Sequence, residues 1–266
     1  MRCIGLVLLT ACAGADAMTA PPAPAAAKPT PANDVGLTPG ETMAFELRLA
    51  GIVAGEAQLA VGALGEFEGH RAVVVKSRAE TVGAAALIKH IVDEATTVVD
   101  MESGRPITVE TLVEQGSSKV TGSARFTGNV ADITYVRNGE AAPHKQRIDF
   151  GAVTVHDAHT AMAQIRGWRP APGAMRSVFV VGGRRVWRVD MTYVGEDTIG
   201  SALGNRRAVR FTGQSYRTRR NLTAESDKPG RTFSVWLTDD ADRVPLKVTA
   251  KTELGEIAID LTEYSR

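Results

Sequence analysis

Residues 233–264 read FSVWLTDDADRVPLKVTAKTELGEIAIDLTEY. Apolar side chains take every second position: Phe233, Val235 and Leu237, then Leu246, Val248 and Ala250, then Ile257, Ile259 and Leu261. A period of two belongs to a strand with one face on a core and the other in water. Asp239, Asp240 and Asp242 interrupt the first pair of runs, and Leu254-Gly255-Glu256 the second, as turn residues do. The stretch therefore predicts a three-stranded antiparallel meander.

The same pattern runs through the chain before it. Phe45, Leu47 and Leu49 alternate, and after Gly51 the chain returns with Ala57, Leu59 and Val61. Further strands are predicted at 70–82, 95–101, 107–114, 119–127, 130–136, 145–150, 175–181, 184–194, 206–216 and 232–237. Asn138-Gly139 and Gly182-Gly183 stand where hairpin turns are expected. Two segments have a period near 3.6 instead. In 83–91, Ala84, Leu87, Ile88 and Ile91 share a side. In 155–166, Ala158, Met162 and Ile165 share a face and Asp157 is placed to cap the helix. Many strands without alternating helices argue against a parallel α/β fold. The expected fold is mainly β: a large, strongly curved antiparallel sheet, half-open barrel or sandwich-like, with two short helices.

Composition agrees. Of 266 residues, 44% are hydrophobic and 23% charged, enough to bury a sizeable core. A formal net charge of +1 calls for neither nucleic acid nor an acidic substrate. The N-terminus is more specific. Arg2 precedes the apolar segment CIGLVLL, and Leu9-Thr10-Ala11-Cys12 is a small-residue cleavage site ending in cysteine. This resembles a bacterial lipoprotein signal peptide, with 1–11 removed and Cys12 acylated. An ordinary secretory signal cut after Ala15 or Ala17 is the alternative. The apolar run is too short to span a bilayer. Cys3 and Cys12 are the only cysteines, so the mature domain is expected to contain no disulfide and no cysteine metal site. Residues 12–39 are rich in Ala and Pro and read as a tether, which leaves 40–266 as a single antiparallel β domain. The expected address is the cell envelope, as an outer-membrane-anchored lipoprotein facing the periplasm, or secreted if Cys12 is not acylated.

Several stretches in order resemble the bacterial domain of unknown function 3108. They are LAGIVAGEA at 49–57, the helix after Asp157, Gly195-Glu196-Asp197, and Trp236-Leu237-Thr238-Asp239-Asp240 followed by Arg243-Val244-Pro245-Leu246-Lys247-Val248. The resemblance covers residues 40–264 and implies an exported or envelope protein of antiparallel strands. It carries no catalytic residues over. The helix entry His156-Asp157-Ala158-His159 is more polar than the family pattern.

Candidate chemistry is sparse. His156 and His159, three apart around Asp157, are the weak candidates for a metal pair, without a third ligand at an informative spacing. Asp239, Asp240 and Asp242 lack the spacing of a calcium loop and read as a solvated turn. Arg184, Arg185, Arg188, Arg206, Arg207 and Arg210 could align as a basic stripe for an anionic glycan, headgroup or phosphate. No nucleophile elbow, phosphate loop, zinc-protease or dinucleotide motif is present, and no cofactor is expected. The leading expectation is a non-enzymatic, lipid-anchored binding module for an apolar or glycan ligand or an envelope partner. A structural lipoprotein pairing through a sheet edge is second and a glycan-acting hydrolase third. A deep concave apolar face favours the first, a flat sheet with an open edge the second, and two carboxylates in a groove the third.

Overall fold

The computed structural model describes residues 35–266 apart from 184, 220, 226–229 and 253–254. The signal segment, Cys12 and Arg184 lie outside the described residues. In chain order the strands are β1 (Thr42–Leu49), β2 (Ile52–Val61), β3 (Gly65–Phe67), β4 (His70–Thr81), β5 (Ile91–Asp100), β6 (Pro106–Gln115), β7 (Ser118–Thr127), β8 (Val130–Arg137), β9 (His144–Asp149), β10 (Val155–His156), β11 (Met175–Gly182), β12 (Arg185–Ser201), β13 (Gly204–Arg217), β14 (Arg231–Thr238), β15 (Pro245–Thr252) and β16 (Gly255–Ser265). Helix α1 (Gly83–Ile88) follows β4 and α2 (Ala158–Gly167) follows β10.

The predicted meander is present as β14, β15 and β16. β16 then pairs with β1, so the C-terminal strand lies in the middle of the sheet. From there the order runs outward through β2, β4, β5, β6, β7 and β8 to β9 on one side. On the other it runs through β15, β14, β13, β12 and β11 to β10. All ladders are antiparallel except the two-residue pairing of β10 with β11. β9 and β10 are the two ends and do not pair, so the sheet curls without closing.

The two ends overlap instead. Val178 and Val180 of β11 face inward with Met191, Phe211 and Val235. Phe179 and Val181, on the opposite face, pack with Val109, Phe126, Ile133 and Ile148 of β6–β9. The Phe150 and Phe179 rings are 5.2 Å apart across this seam. β11 is thus buried on both faces, which explains four consecutive apolar residues where an alternating strand needs two. The seam depends on small residues. A Cβ on Gly122 would lie 3.5 Å from Gly183 Cα and only 2.8 Å from Thr111 Oγ1, so the β11–β12 turn rests on bare backbone.

The helices depart from their sequence readings. α1 ends at Ile88, because Ile91 already belongs to β5, and it buries none of its residues. Its apolar side chains do not face the core: Leu87 is 90% and Ile88 87% exposed. α2 starts after Asp157 with a full capping box, as expected, while Val155 and His156 leave the predicted helix to form β10. Its buried side is His159, Thr160, Ala163, Ile165 and Arg166, more polar than the predicted Ala158–Met162–Ile165 face. Val35, Gly36 and Leu37, at the end of the stretch read as tether, belong to the fold. Leu37 is buried, and a Cβ on Gly36 would meet the backbone of Ala163 at 2.1 Å.

Candidate functional site

α2 fills one end of the rolled sheet, and its polar face explains how. Asp157 accepts from Thr97 Oγ1 at 2.6 Å and from Thr160 Oγ1 at 2.6 Å, besides the capping N–H groups of His159 and Thr160. His159 Nδ1 lies 2.7 Å from Thr97 Oγ1, and its Nε2 is hydrogen-bonded to Ser77 Oγ. The donor order is forced, because an ionised carboxylate only accepts. Thr97 gives its proton to Asp157 and receives one from His159 Nδ1–H; the bare Nε2 then accepts from the Ser77 hydroxyl. Ser77 on β4 and Thr97 on β5 thereby fasten the first turn of α2 to the sheet.

Electrostatics follow from burial. Burial alone would raise the Asp157 carboxyl, but His159 and the hydrogen bonds from Thr160 and Thr97 outweigh it and hold it below the usual carboxylate range. Burial lowers His159, only partly opposed by Asp157, so the ring is neutral. His156 is pushed down to about 4 by burial, against Asp157 and with help from Arg105 and Arg176. Serine, histidine and aspartate in this order suggest an activated nucleophile. Ser77 is however only 2% exposed, and His159 Nδ1 lies closer to Thr97 Oγ1, at 2.7 Å, than to Asp157 Oδ2, at 3.5 Å, so the chain of groups serves to hold the helix. The paired histidines do not converge either. Both ring nitrogens of His159 are engaged, and His156 Nδ1 lies 3.2 Å from Thr160 Oγ1. Among the described residues no group of three histidine, cysteine or acidic side chains could hold a metal.

The C-terminal turn of α2 is fixed as firmly. Arg166 donates from Nη1 and Nη2 to the two oxygens of Glu41, at 2.6 and 2.8 Å, with both residues almost fully buried. It also donates to the carbonyls of Arg243 and Asp242, at 3.1 and 3.0 Å. Asp240 organises that turn by accepting from the N–H groups of Asp242 and Arg243, while Asp239 pairs with Arg207 and Asp242 with Arg266. The three aspartates are structural turn residues. Neither Ser77 and Thr97 nor the Glu41–Arg166 pair carried any local signal in the sequence.

Among the described residues, the opposite end of the roll is less deeply buried. Along β1, inward-facing Met43, Phe45 and Leu47 are buried but Leu49 only half-buried. The same gradient recurs on β12, where Trp187 and Val189 are half-buried and Met191 and Tyr193 buried, and on β14, from Phe233 to Val235 and Leu237. Val113, Val120 and Ile257 complete this apolar mouth. The Trp187 indole N–H is buried and meets no acceptor among the described residues, and the Arg231 guanidinium lies 6.0 Å from the ring.

A separate groove of about 400 Å³ lies on the outer face of β5–β8. One register row across it is Glu94, Leu112, Thr121 and Val136, and the next is Thr96, Glu110, Ser123 and Thr134. Glu94 is 3.5 Å from the Arg78 guanidinium. The arginines of the expected stripe are spread out. Arg188 pairs with Asp190 in mid-strand, and Arg207 with Glu196 and Asp239 near the β12–β13 tip. Arg210 lies over Trp236, and Arg206 donates to the Leu203 carbonyl.

Comparison with known proteins places this architecture. The chain is similar to a beta-barrel-like protein of domain of unknown function DUF1849 from Brucella abortus, at 8% identity and a TM-score of 0.57, covering 85% of this chain and 97% of that one. A Bacteroides fragilis protein of YmcC-like fold, described as exported, matches at 7% identity and a TM-score of 0.39 over 86% and 97% of the two chains. A Parabacteroides distasonis protein described as a lipoprotein matches at 9% and 0.36 over 86% and 96%. The first shares the fold; the other two scores are too low to carry an argument. No curated protein matches the sequence. Among the described residues no helix is long and apolar enough to cross a membrane. The family described as "Protein of unknown function (DUF3108)" matches residues 44–262, nearly the whole rolled sheet, and the chain belongs to it.

Proposed function

We propose that this protein is a lipid-anchored envelope protein, held through Cys12, whose open mouth takes an apolar ligand with an acyl chain and an oxygen-bearing head. The observation that carries the reading is the gradient of burial along the inward face. The same strands are dry at the α2 end and leave apolar side chains half-buried at the other, where packing alone would favour closure. The unpartnered Trp187 N–H supplies a donor for a carbonyl or carboxylate oxygen, and Arg231 stands beside it. The sequence supports the address through its signal-like start and Cys12.

The alternative of pairing through a sheet edge has less support. Edge strand β9 presents Lys145, Arg147 and Asp149 outward, the charged pattern that discourages strand addition, and β10 is short and buried. The hydrolase reading finds Glu94 and Glu110 in the outer groove, but Glu94 lies 3.5 Å from the Arg78 guanidinium and the groove is open to solvent. A glycan ligand would fit that hydroxyl-lined groove better than the mouth.

The test is native mass spectrometry of the full chain carrying Cys12→Ser, so that no covalent acyl group is counted, followed by organic extraction. A co-purified lipid of defined mass, lost or weakened about tenfold in Trp187→Phe as expected for one hydrogen bond to a charged head, supports the mouth. Empty protein that also fails to bind added fatty acid or phospholipid rejects it.

A further inference from the structure

Of the four most exposed large apolar side chains among the described residues, three lie at one end of the sheet, and the fourth, Met175, opens β11 elsewhere. Leu87 and Ile88 of α1 are 90% and 87% exposed, and Ile52, which opens β2, is 71% exposed. Chain connectivity brings them together at the mouth. Val82 N–H donates to the Ala54 carbonyl at 3.1 Å, joining the start of α1 to β2. Thr81 Oγ1 donates to the Lys89 carbonyl and accepts from Ile91 N–H, both at 3.0 Å, closing the loop that carries α1. The β1–β2 turn is equally rigid: Ala50 and Gly51 both have positive φ, as a two-residue hairpin turn requires. Ala50 N–H donates to the Glu256 carbonyl at 2.9 Å. These side chains are therefore held out into solvent by hydrogen-bonded backbone.

We infer that this rim docks on a phospholipid bilayer, with Leu87, Ile88 and Ile52 entering the headgroup–acyl boundary and the mouth facing the lipid. Three observations select a bilayer over another occupant. The rim borders the half-buried apolar lining of the mouth, so insertion would make one continuous apolar path. Lys89 follows the two apolar residues and forms no ion pair among the described residues, which suits lipid phosphate. The chain before the described fold can also reach. It enters at Val35, at the α2 end, roughly 26 Å from the rim given eight residues of β1 at about 3.3 Å each. Residues 13–34 span at most about 75 Å when extended, enough for an anchor at Cys12 and the rim to meet the same membrane. The inference rests on the proposed mouth for its purpose, the transfer of an apolar ligand to or from the bilayer.

The full chain carrying Cys12→Ser is tested by co-sedimentation with phosphatidylethanolamine–phosphatidylglycerol vesicles. The unacylated protein binds them, and the double change Leu87→Asp with Ile88→Asp lowers the partition coefficient by about tenfold or more, since each buried methylene contributes to insertion. Val74→Asp, at an exposed apolar position (38%) away from the rim, leaves binding unchanged. Circular dichroism confirms that both variants fold. Absence of vesicle binding, binding insensitive to the double change, or self-association through these residues without vesicle binding overturns the inference. Native mass spectra of the same variants separate the two readings. Bound lipid with vesicle binding absent keeps the mouth and rejects the rim; rim-dependent vesicle binding by an empty protein keeps the rim and rejects the mouth.

Discussion

The two ends of the rolled sheet are made from the same strands and solve opposite problems. At the α2 end, a buried ion pair and a chain of hydroxyl, imidazole and carboxylate groups fill the space between strands. Every one of those polar groups is satisfied, which low-dielectric surroundings demand. At the other end the inward face is apolar, half-buried and bordered by side chains that no described residue covers. A sheet with unjoined edges needs something to hold its curvature. Here α2 does so at one end, which leaves the other free to differ.

The contrast can be broken most severely at the Glu41–Arg166 pair. Arg166→Met strands a fully buried carboxylate and is expected to cost roughly 3–5 kcal/mol, read from urea denaturation. Adding Glu41→Gln should recover much of the loss, because the stranded charge goes with it. A single-variant loss below about 0.5 kcal/mol, as at an ordinary surface site, would show that α2 does not hold the roll.

The pH dependence comes next. His156 is neutral in the fold with a pKa near 4, against 6.5 when exposed, so the unfolded chain binds more protons between those values. Stability present above pH 6.5 is therefore lost as the pH falls towards 4, by about 3 kcal/mol for this group at ~1.4 kcal/mol per unit. His159, also lowered, adds in the same direction. Denaturation midpoints across that range should flatten in His156→Gln; an unchanged slope would remove His156 as a cause. The smallest effect belongs to the open end. Leu87→Ser is expected to shift stability by no more than about 0.5 kcal/mol, and a larger loss would mean that α1 packs against something in solution.

Much of this architecture was legible before any coordinates. The alternation in 233–264 marked β14, β15 and β16, and Asp157 announced the start of α2. Residues 178–181 also held a readable sign, four apolar residues in a row, of a strand covered on both faces. The candidate site was not legible. Ser77 and His159 are 82 positions apart, and Glu41 and Arg166 are 125 apart, so no local pattern links them. The apolar side of α1 misled for a related reason: periodicity reports that a face is apolar, not what it faces.

The sequence by itself determined the strands, their turns and the antiparallel class, because period-two burial and turn chemistry act between near neighbours. Only the tertiary structure decided that the sheet's ends overlap at β11, that α2 plugs one end, and that Leu87 and Ile88 stand exposed at the less buried end. Those outcomes depend on which surfaces meet when the sheet curls, and that is set by contacts between residues far apart in the chain.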